Sequence, residues 1–135
     1  MPRIGRKVVE AFKQSECDIF VDLFCGSLAM LCYLPWDVKV VVNDINRNLT
    51  NLYEVIREKP SDYVSEVMKL PYSGVVFQRF TEDLKSADNR FELDRAVAYF
   101  YVSFGAYRGR MDNPLFRISA TTDTNRAEAY QKSIQ

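Results

Sequence analysis

The sequence predicts an α/β fold in which two parallel strands alternate with helices. Two short apolar runs rich in β-branched residues, 19–24 and 38–43, each give way at once to turn-forming residues. Segments with helical periodicity lie before and after these runs, and a shorter helix-compatible segment lies between them. Strands that alternate with helices in this order form βαβ units, whose strands are parallel.

The front half contains five predicted elements in the order helix, strand, helix, strand, helix. The first helix is short and amphipathic, and the second ends at Pro35, which cannot continue a helix. The third places its leucines, a tyrosine and an isoleucine on one face. The predicted bounds are 5–15, 19–24, 28–34, 38–43 and 46–59.

The back half is predicted to be helical. Ser61 is the predicted N-cap of its first helix, and Thr81 is a possible N-cap of a later one, after Gly74 interrupts the apolar pattern. The predicted bounds are 61–70 and 91–107 for two helices, 80–84 for the start of another, and 109–126 for a polar segment with turn signals. The change near Pro60 divides the chain into a βαβ part, 1–60, and a helical part, 61–135.

The composition excludes several classes of chemistry. The 135 residues include no histidine, so a Ser-His-Asp triad, a Cys-His pair and a histidine metal site are excluded. Three cysteines without a C-x-x-C pair indicate reduced thiols rather than a disulfide framework or zinc site. The 18 basic and 18 acidic residues cancel, and no apolar run is long enough to span a membrane. We therefore expect a cytoplasmic protein with no metal and no membrane partner.

A carboxylate and a glycine at the predicted strand ends form the strongest candidate site. Parallel sheets bind nucleoside-like ligands at the carboxyl ends of their strands, where Asp22 and Asp44 stand. Gly26 allows close approach of a ligand, and Asp44 follows it by 18 residues, near the interval of about 20 for ribose-binding acids. The alternative is a plain tight turn at Gly26 and a helix cap at Asp44.

The type of ligand follows from what the loop lacks. A dinucleotide fingerprint needs three glycines and a Walker loop needs its glycine–lysine end, and neither is present around Gly26. Asp22 repels a pyrophosphate but attracts an ammonium or sulfonium group. A nucleoside with an amino-acid tail and no phosphates, such as S-adenosylmethionine, therefore fits.

The segments FVDLFCGSLAMLCYL and VVVNDINRNLTNLYEVIREKP resemble the front of the Dam-type adenine-N6 DNA methyltransferase family. That family has a strand ending in an acid, a Phe-x-Gly-x-Gly loop and an Asn-Asp-x-Asn motif. The start of the chain, with Gly5 and Lys7, resembles the glycine–lysine segment of the family, and AVAYFYVSFGAY resembles its target-recognition part. The second motif is matched by Asn43, Asp44, Asn46, Leu49, Asn51, Leu52 and Tyr53.

The resemblance implies a partial Rossmann-like S-adenosylmethionine-dependent methyltransferase fold with a helical insertion. It implies that Asp22, Phe24 and Gly26 border the methionine and ribose portions of the cofactor, and that Asp44 accepts the ribose hydroxyls. It also implies that Lys7 closes over the methionine end. The alternatives are a solvated lysine at Lys7 and a core side chain at Phe24.

Two departures from the family pattern stand out. Leu28 occupies the place of the second loop glycine, which adds bulk beside the cofactor. The catalytic Asp-Pro-Pro-Tyr motif has no counterpart, because the sequence contains no Pro-Pro pair. A degenerate candidate is Asn113, Pro114 and Phe116, which we interpret instead as a turn in the recognition region, and we identify no catalytic residue.

Aromatic and guanidinium groups late in the chain are the candidates for contact with DNA. Tyr107, Arg108, Arg110 and Arg117 surround turns, and such groups contact phosphates or stack on bases. A solvated loop is the alternative, since the excess of basic residues over 90–135 is small.

The sequence therefore predicts a site-specific DNA methyltransferase that transfers methyl from S-adenosylmethionine to adenine N6 in double-stranded DNA. The missing motif indicates a truncated or incomplete chain, and a second chain is a possible source of the catalytic strands. The alternatives are a non-catalytic protein that binds S-adenosylmethionine or DNA, a subunit of a split methyltransferase, and a domain that serves protein association only.

Overall fold

The computed structural model describes residues 2–85 and 92–117. Their helices are α1 (Pro2–Gln14), α2 (Arg47–Glu58), α3 (Pro60–Met68), α4 (Gly74–Lys85) and α5 (Leu93–Gly105). The strands are β1 (Ile19–Asp22) and β2 (Lys39–Val42), and short 3₁₀ helices span Leu31–Tyr33 and Tyr107–Gly109. Residue 91 of one predicted helix and residues 118–126 of the predicted turn segment lie outside the described residues.

The chain divides between Asn46 and Arg47 into two compact units. The helix α2, which the sequence groups with the strands, packs on α3 and α5 in the second unit. The assignment of residues 1–60 to the cofactor and 61–135 to DNA recognition stays a prediction.

In the first unit, β1 and β2 form a parallel pair, as the sequence predicts. Residues paired across parallel strands share a face of the sheet, so Phe20 lies on the same face as Val40. The Phe20 ring is buried and meets Phe12 of α1 edge to face, with ring centroids 5.3 Å apart. Val21 and Val41 lie on the opposite face and are about half exposed (54% and 53%).

The predicted helix over 28–34 is wrong. Leu28 has a left-handed backbone (φ 57°), which no right-handed helix admits, and Leu34 before Pro35 is extended. Successive turns replace the helix: the N–H of Leu28 donates to the Cys25 carbonyl at 2.8 Å, and that of Leu31 to the Leu28 carbonyl at 3.0 Å. Only the short 3₁₀ helix remains.

In the second unit, α2, α3 and α4 each pack on α5. Helix α5 is apolar on most sides, and this explains its burial. Tyr101 and Val102 of α5 are almost wholly buried, as is Val67 of α3. A single apolar core therefore surrounds α5 in this unit.

Three predicted helix boundaries are wrong. Helix α3 starts with Pro60 at its first turn, and no side-chain cap bond from Ser61 forms. Gly74 begins α4 rather than interrupting it, because Phe77 and Phe80 bury one face of the helix in the core. Thr81 lies inside α4, where its hydroxyl donates to the Phe77 carbonyl at 2.8 Å.

Candidate functional site

The parallel pairing brings the two candidate strand ends together in the first unit. Asp22 pairs with Val42 in register, and the N–H of Asn43 donates to the Asp22 carbonyl at 2.8 Å. The N–H of Cys25 then donates back to the Asn43 carbonyl at 3.0 Å. The loop after β1 is thereby hydrogen-bonded to the loop after β2.

The Asp44 side chain is the centre of this arrangement. Its Oδ2 accepts the N–H of Gly26 at 3.0 Å, and its Oδ1 accepts the N–H of Asn46 at 2.9 Å. The bonds from Asn46 and then Gly26 hold the pKa of the Asp44 carboxyl below its ordinary value. Asp44 is therefore an oriented carboxylate that is ionised at neutral pH, and each of its oxygens can accept further hydrogen bonds, since a carboxylate has about four acceptor positions.

Gly26 leaves space beside this carboxylate. Its backbone is left-handed (φ 47°), a conformation that glycine adopts without steric penalty. Among the described residues other than its chain neighbours, the one atom within 4 Å of a Cβ at this position would be the Phe24 carbonyl oxygen, at 3.9 Å. Room for a ligand therefore lies next to the Gly26–Asp44 hydrogen bond, and the residues present fit a nucleoside there.

The neighbours of Gly26 have distinct environments. Phe24 is 85% exposed, so the core alternative for its ring is wrong. The half-buried Asp22 accepts the N–H of Phe24 through Oδ1 at 3.2 Å. Burial, together with the negative charges of Asp44 and Asp22, raises the pKa of the Cys25 thiol. Cys25 is therefore a buried neutral thiol, and no disulfide joins it to the two other cysteines.

Lys7 and Gly5 lie on α1. Lys7 is exposed. Gly5 is buried, and a Cβ atom on it would lie 3.3 Å from the Tyr33 ring and 3.4 Å from the sulfur of Met30. Gly5 therefore allows close packing of α1 on the segment around the first 3₁₀ helix.

The predicted DNA-contacting residues lie in the second unit, on a segment we call the arginine loop (residues 106–117). Ala106 and Phe116 form an antiparallel bridge at its base. The N–H of Tyr107 donates to the Leu115 carbonyl at 2.8 Å. The N–H of Arg117 donates to the Gly105 carbonyl at 2.9 Å. The loop is therefore closed by backbone hydrogen bonds directly after α5.

The arginine loop exposes its charged groups. The guanidinium carbon of Arg108 lies 5.2 Å from the centre of the Tyr107 ring, and Arg108 itself has a left-handed backbone (φ 56°). Nη2 of Arg110 donates to Oδ2 of Asp112 at 2.9 Å, and this bond raises the pKa of the arginine and lowers that of the aspartate. Arg117 is also exposed.

The three residues of the degenerate catalytic motif, Asn113, Pro114 and Phe116, have different surroundings. Asn113 is exposed and Pro114 half-buried, and both lie in the turn that leads to the bridge. Phe116 instead packs inward, its ring centroid 4.9 Å from that of Tyr72 and 5.2 Å from that of Phe77. Phe116 therefore anchors the arginine loop to the helical core.

Sequence reasoning missed the role of two asparagines of α2, Asn51 of the second motif and Asn48. The buried Asn51 side chain donates to the Glu92 carbonyl and accepts the Glu92 N–H, both at 3.1 Å. Oδ1 of Asn48 accepts Nε of Arg95 at 2.6 Å. Both asparagines therefore join α2 to the start of α5. An asparagine among the apolar residues of a predicted amphipathic helix is the sequence signal for such a role, because a buried polar side chain needs hydrogen-bond partners.

Two further observations bear on the class of site. Within residues 2–85 and 92–117, no group of three or more acidic or cysteine side chains is placed to hold a metal ion. No helix in this part of the chain has the length and apolar character needed to cross a membrane.

Comparison with known families agrees with the motifs. No curated protein matches the chain. The model of the D12 class N6 adenine-specific DNA methyltransferases matches residues 3–131, which include both strand ends and the whole arginine loop. The chain therefore belongs to the D12 class N6 adenine-specific DNA methyltransferase family.

Proposed function

We propose that the chain takes part in the methylation of adenine N6 in DNA and binds S-adenosylmethionine at the carboxyl ends of β1 and β2, in a partial Rossmann-like arrangement. The observation that carries the proposal is the Asp44 carboxylate, held by the N–H groups of Gly26 and Asn46 beside open space. Family membership supports the reaction class. When bound, the cofactor supplies an electrophilic methyl group on a sulfonium centre.

Asp44 is proposed to accept the two ribose hydroxyls. The two backbone N–H donors orient its oxygens before any ligand arrives, so that little side-chain entropy is lost on binding. The same donors keep it ionised, and hydrogen bonds to an ionised acceptor are stronger than those between neutral groups. Gly26 is proposed to lie against the ribose, where a side chain would intrude.

The remaining cofactor contacts follow from the same loop and from α1. The exposed Phe24 ring is available to pack on the ligand, and the Asp22 carboxylate favours a positively charged ammonium or sulfonium group nearby. Lys7, following Gly5 on α1, is proposed to pair with the carboxylate of the methionine part.

Isothermal titration of the full chain with S-adenosylmethionine tests the proposal. We expect binding by the wild type, loss of binding in Asp44→Ala, and retained binding in Asp37→Ala, whose exposed carboxylate lies outside the loop. Circular dichroism shows whether each variant is folded, and Asp44→Asn keeps the side-chain volume while removing the charge. A folded Asp44→Ala variant with wild-type affinity would refute the ribose assignment, and the absence of binding by the wild type at millimolar ligand would refute the cofactor site.

The arginine loop is proposed to contact double-stranded DNA. It presents Arg108, Arg110 and Tyr107 on a segment that backbone bonds and Phe116 hold in place. Arginines that contact phosphates release counterions, so the removal of one contact reduces the salt dependence of binding by about one unit of slope. We expect this from Arg108→Ala and Arg110→Ala in fluorescence anisotropy with a DNA duplex. Arg57→Ala is the control, because it removes from α2 an exposed arginine that, like Arg110, is paired with an exposed acid. Equal salt slopes in all variants would contradict the assignment.

No catalytic residue is assigned. The sequence contains no Pro-Pro pair, and in Asn113-Pro114-Leu115-Phe116 the aromatic ring packs into the core instead of facing a base. We expect no transfer of labelled methyl to DNA by the 135-residue chain alone. Transfer by the purified chain would overturn this expectation. Transfer only after a second polypeptide is added would favour the split-enzyme alternative.

A further inference from the structure

A fully exposed tryptophan lies in the first unit, at the end of the sheet opposite the proposed cofactor site. Trp36 is the one tryptophan of the sequence, and it is 103% exposed, more than any other large apolar residue that the structure describes. Tryptophans are on average highly buried, because their large apolar surface favours removal from water. They are also enriched among the residues that contribute most to protein–protein binding. Trp36 is therefore a candidate anchor for a partner.

A tight turn carries Trp36. The N–H of Val38 donates to the Pro35 carbonyl at 3.4 Å, so Trp36 and Asp37 are the two central residues of this turn. Strand β2 starts at Lys39, directly after it. The backbone that presents the indole ring is therefore held by the hydrogen bond of the turn and by the sheet.

Acidic residues share this edge of the sheet. Ile19 pairs with Lys39, so the backbone segments that lead into the two parallel strands lie side by side, about 5 Å apart. Residues 16–19 and 36–39 contain three exposed acids, which are Glu16, Asp18 and Asp37. Lys39 is the one basic residue among them. We call Asp18, Ile19, Trp36 and Asp37 the amino-edge patch, and its apolar part includes Ile19, which is 50% exposed.

The amino-edge patch is separate from the proposed cofactor site. Because β1 and β2 run parallel, their amino ends form one edge and their carboxyl ends form the other. Ile19 and Asp22 are the first and last residues of β1, so steps of about 3.3 Å per residue place the two edges roughly 10 Å apart. A substitution in the patch therefore changes no group that is proposed to contact S-adenosylmethionine.

The charge of the patch determines the kind of partner that it fits. Carboxylates repel the phosphates of DNA and of anionic lipids, so neither is complementary to an aromatic ring beside acids. A guanidinium group is complementary, since it stacks on an indole ring and pairs with carboxylates. The exposed Ile19 favours an apolar side chain next to that arginine.

We propose that the amino-edge patch docks a segment of a partner protein that presents an arginine beside an apolar residue. The arginine stacks on Trp36 and pairs with the carboxylates of Asp18 and Asp37, while the apolar residue covers Ile19. Exposed carboxylates of this kind act mainly on the rate of association and on its salt dependence, whereas the buried aromatic anchor supplies most of the affinity. This binding surface goes beyond the proposed function and does not depend on Asp44.

Titration of the full chain with a hexapeptide that alternates arginine and leucine tests the proposal. Trp36 is the one tryptophan of the sequence, so its fluorescence reports docking directly, because an indole that leaves water emits at a shorter wavelength. We expect a saturable shift to shorter wavelength that weakens as the salt concentration rises. The same peptide with glutamate in place of arginine should cause no shift.

Variants identify the groups that bind the peptide, with fluorescence anisotropy of the labelled peptide as the readout. Trp36→Ala should bind at least about 30-fold more weakly, the loss typical of an interface anchor. Asp37→Asn should bind several-fold more weakly and with a smaller salt dependence. Asp62→Asn is the matched control, since it neutralises an exposed acid on α3 in the other unit, and it should bind like the wild type. Circular dichroism shows whether each variant is folded.

The contrary outcomes differ from one another. Equal affinity in folded Trp36→Ala and the wild type would overturn the role of the tryptophan. No shift with the arginine peptide, or an equal shift with the glutamate peptide, would overturn the assignment of a basic partner. So would a shift produced by duplex DNA or by phosphatidylglycerol vesicles in place of the peptide. A shift that grows with protein concentration alone would show self-association and overturn the proposal in favour of a second copy of the chain.

Discussion

The substitution Tyr101→Phe removes one hydroxyl from the core of the second unit. Tyr101 is 1% exposed, and its hydroxyl accepts the N–H of Ser73 at 2.7 Å and donates to the Pro71 carbonyl at 2.6 Å. These bonds hold the segment that leads into α4 at Gly74. A Cβ atom at Gly74 would lie 3.3 Å from the ring of Phe116, the anchor of the arginine loop. The hydroxyl therefore connects core stability to the loop that we propose for DNA contact.

The expected loss follows from the two partners that the substitution leaves behind. Each buried group without a hydrogen bond costs about 1–3 kcal/mol. Ser73 is half-buried and Pro71 is exposed, so water can replace part of the loss. We therefore expect Tyr101→Phe to lower the free energy of unfolding by about 2 kcal/mol, equivalent to a fall of roughly 6–10 °C in the melting temperature for a chain of this size.

Urea unfolding followed by circular dichroism measures this loss, with Tyr107→Phe as the matched control. The Tyr107 side chain is 47% exposed, so the same chemical change should alter stability by less than about 0.5 kcal/mol. Burial raises the pKa of Tyr101, which favours the neutral phenol in the folded state. The contribution of the neutral Tyr101 phenol to the free energy of unfolding is therefore complete below the ordinary pKa of about 10. It is lost as the pH rises through the raised pKa of the folded state. Equal stability losses in the two variants would refute the role of the Tyr101 hydroxyl.

Three further predictions concern other contacts. Gly105→Ala should lose about 1–3 kcal/mol in urea unfolding, because its Cβ would lie 2.9 Å from the Phe77 ring, and a stability equal to wild type would contradict the close packing of α4 on α5. Asn51→Ala should lose a similar amount, about 1–3 kcal/mol, because it removes two hydrogen bonds to the backbone of Glu92, whose carbonyl keeps the N–H of Ala96 on the same helix as a donor. Full hydrogen-exchange protection at the Glu92 N–H in the variant would argue against this. Affinity for S-adenosylmethionine should show no loss from protonation of Asp44 between pH 8 and about pH 5, since a lowered pKa keeps this carboxylate ionised until the pH falls below its ordinary range. A titration between pH 6 and 7 that Asp44→Asn abolishes would refute the pKa shift.

The two predicted strands are confirmed, whereas the helix predicted over 28–34 is wrong. Local sequence patterns therefore differ in how well they predict secondary structure. Both strands were predictable because a continuous apolar run with turn residues after it has few other stable structures. Residues 28–34 carry an equally apolar sequence, yet Leu28 is left-handed and successive turns that begin at the Cys25 carbonyl replace the helix. Cys25 and Gly26, just before this segment, are hydrogen-bonded to Asn43 and Asp44 after β2. The bonds of Cys25 and Gly26 to partners distant in sequence fix where the turns begin, and no local periodicity encodes them.

The candidate site shows the same division. The interval between Gly26 and Asp44 predicted that both border one candidate ligand site, and the structure adds a hydrogen bond between the Gly26 N–H and the Asp44 carboxylate. The sequence alone does not distinguish the inward-packed Phe116 from the exposed Tyr107, since both are aromatic residues next to arginines. In the structure Phe116 packs on Phe77, and Tyr107 is about half exposed.

The sequence by itself determined the family, the parallel strand pair and the identity of the acids at the strand ends, because these depend on residue types at fixed short spacings. The tertiary structure decided how Asp44 is held, that Leu28 is left-handed, that Asn51 joins two helices, and that Phe116 faces inward. The results for Asp44, Asn51 and Phe116 are set by hydrogen bonds and packing between distant segments, and Leu28 lies between two turns that close on Cys25 and Leu31. A buried polar group or a strained residue is stable only when such partners are in place.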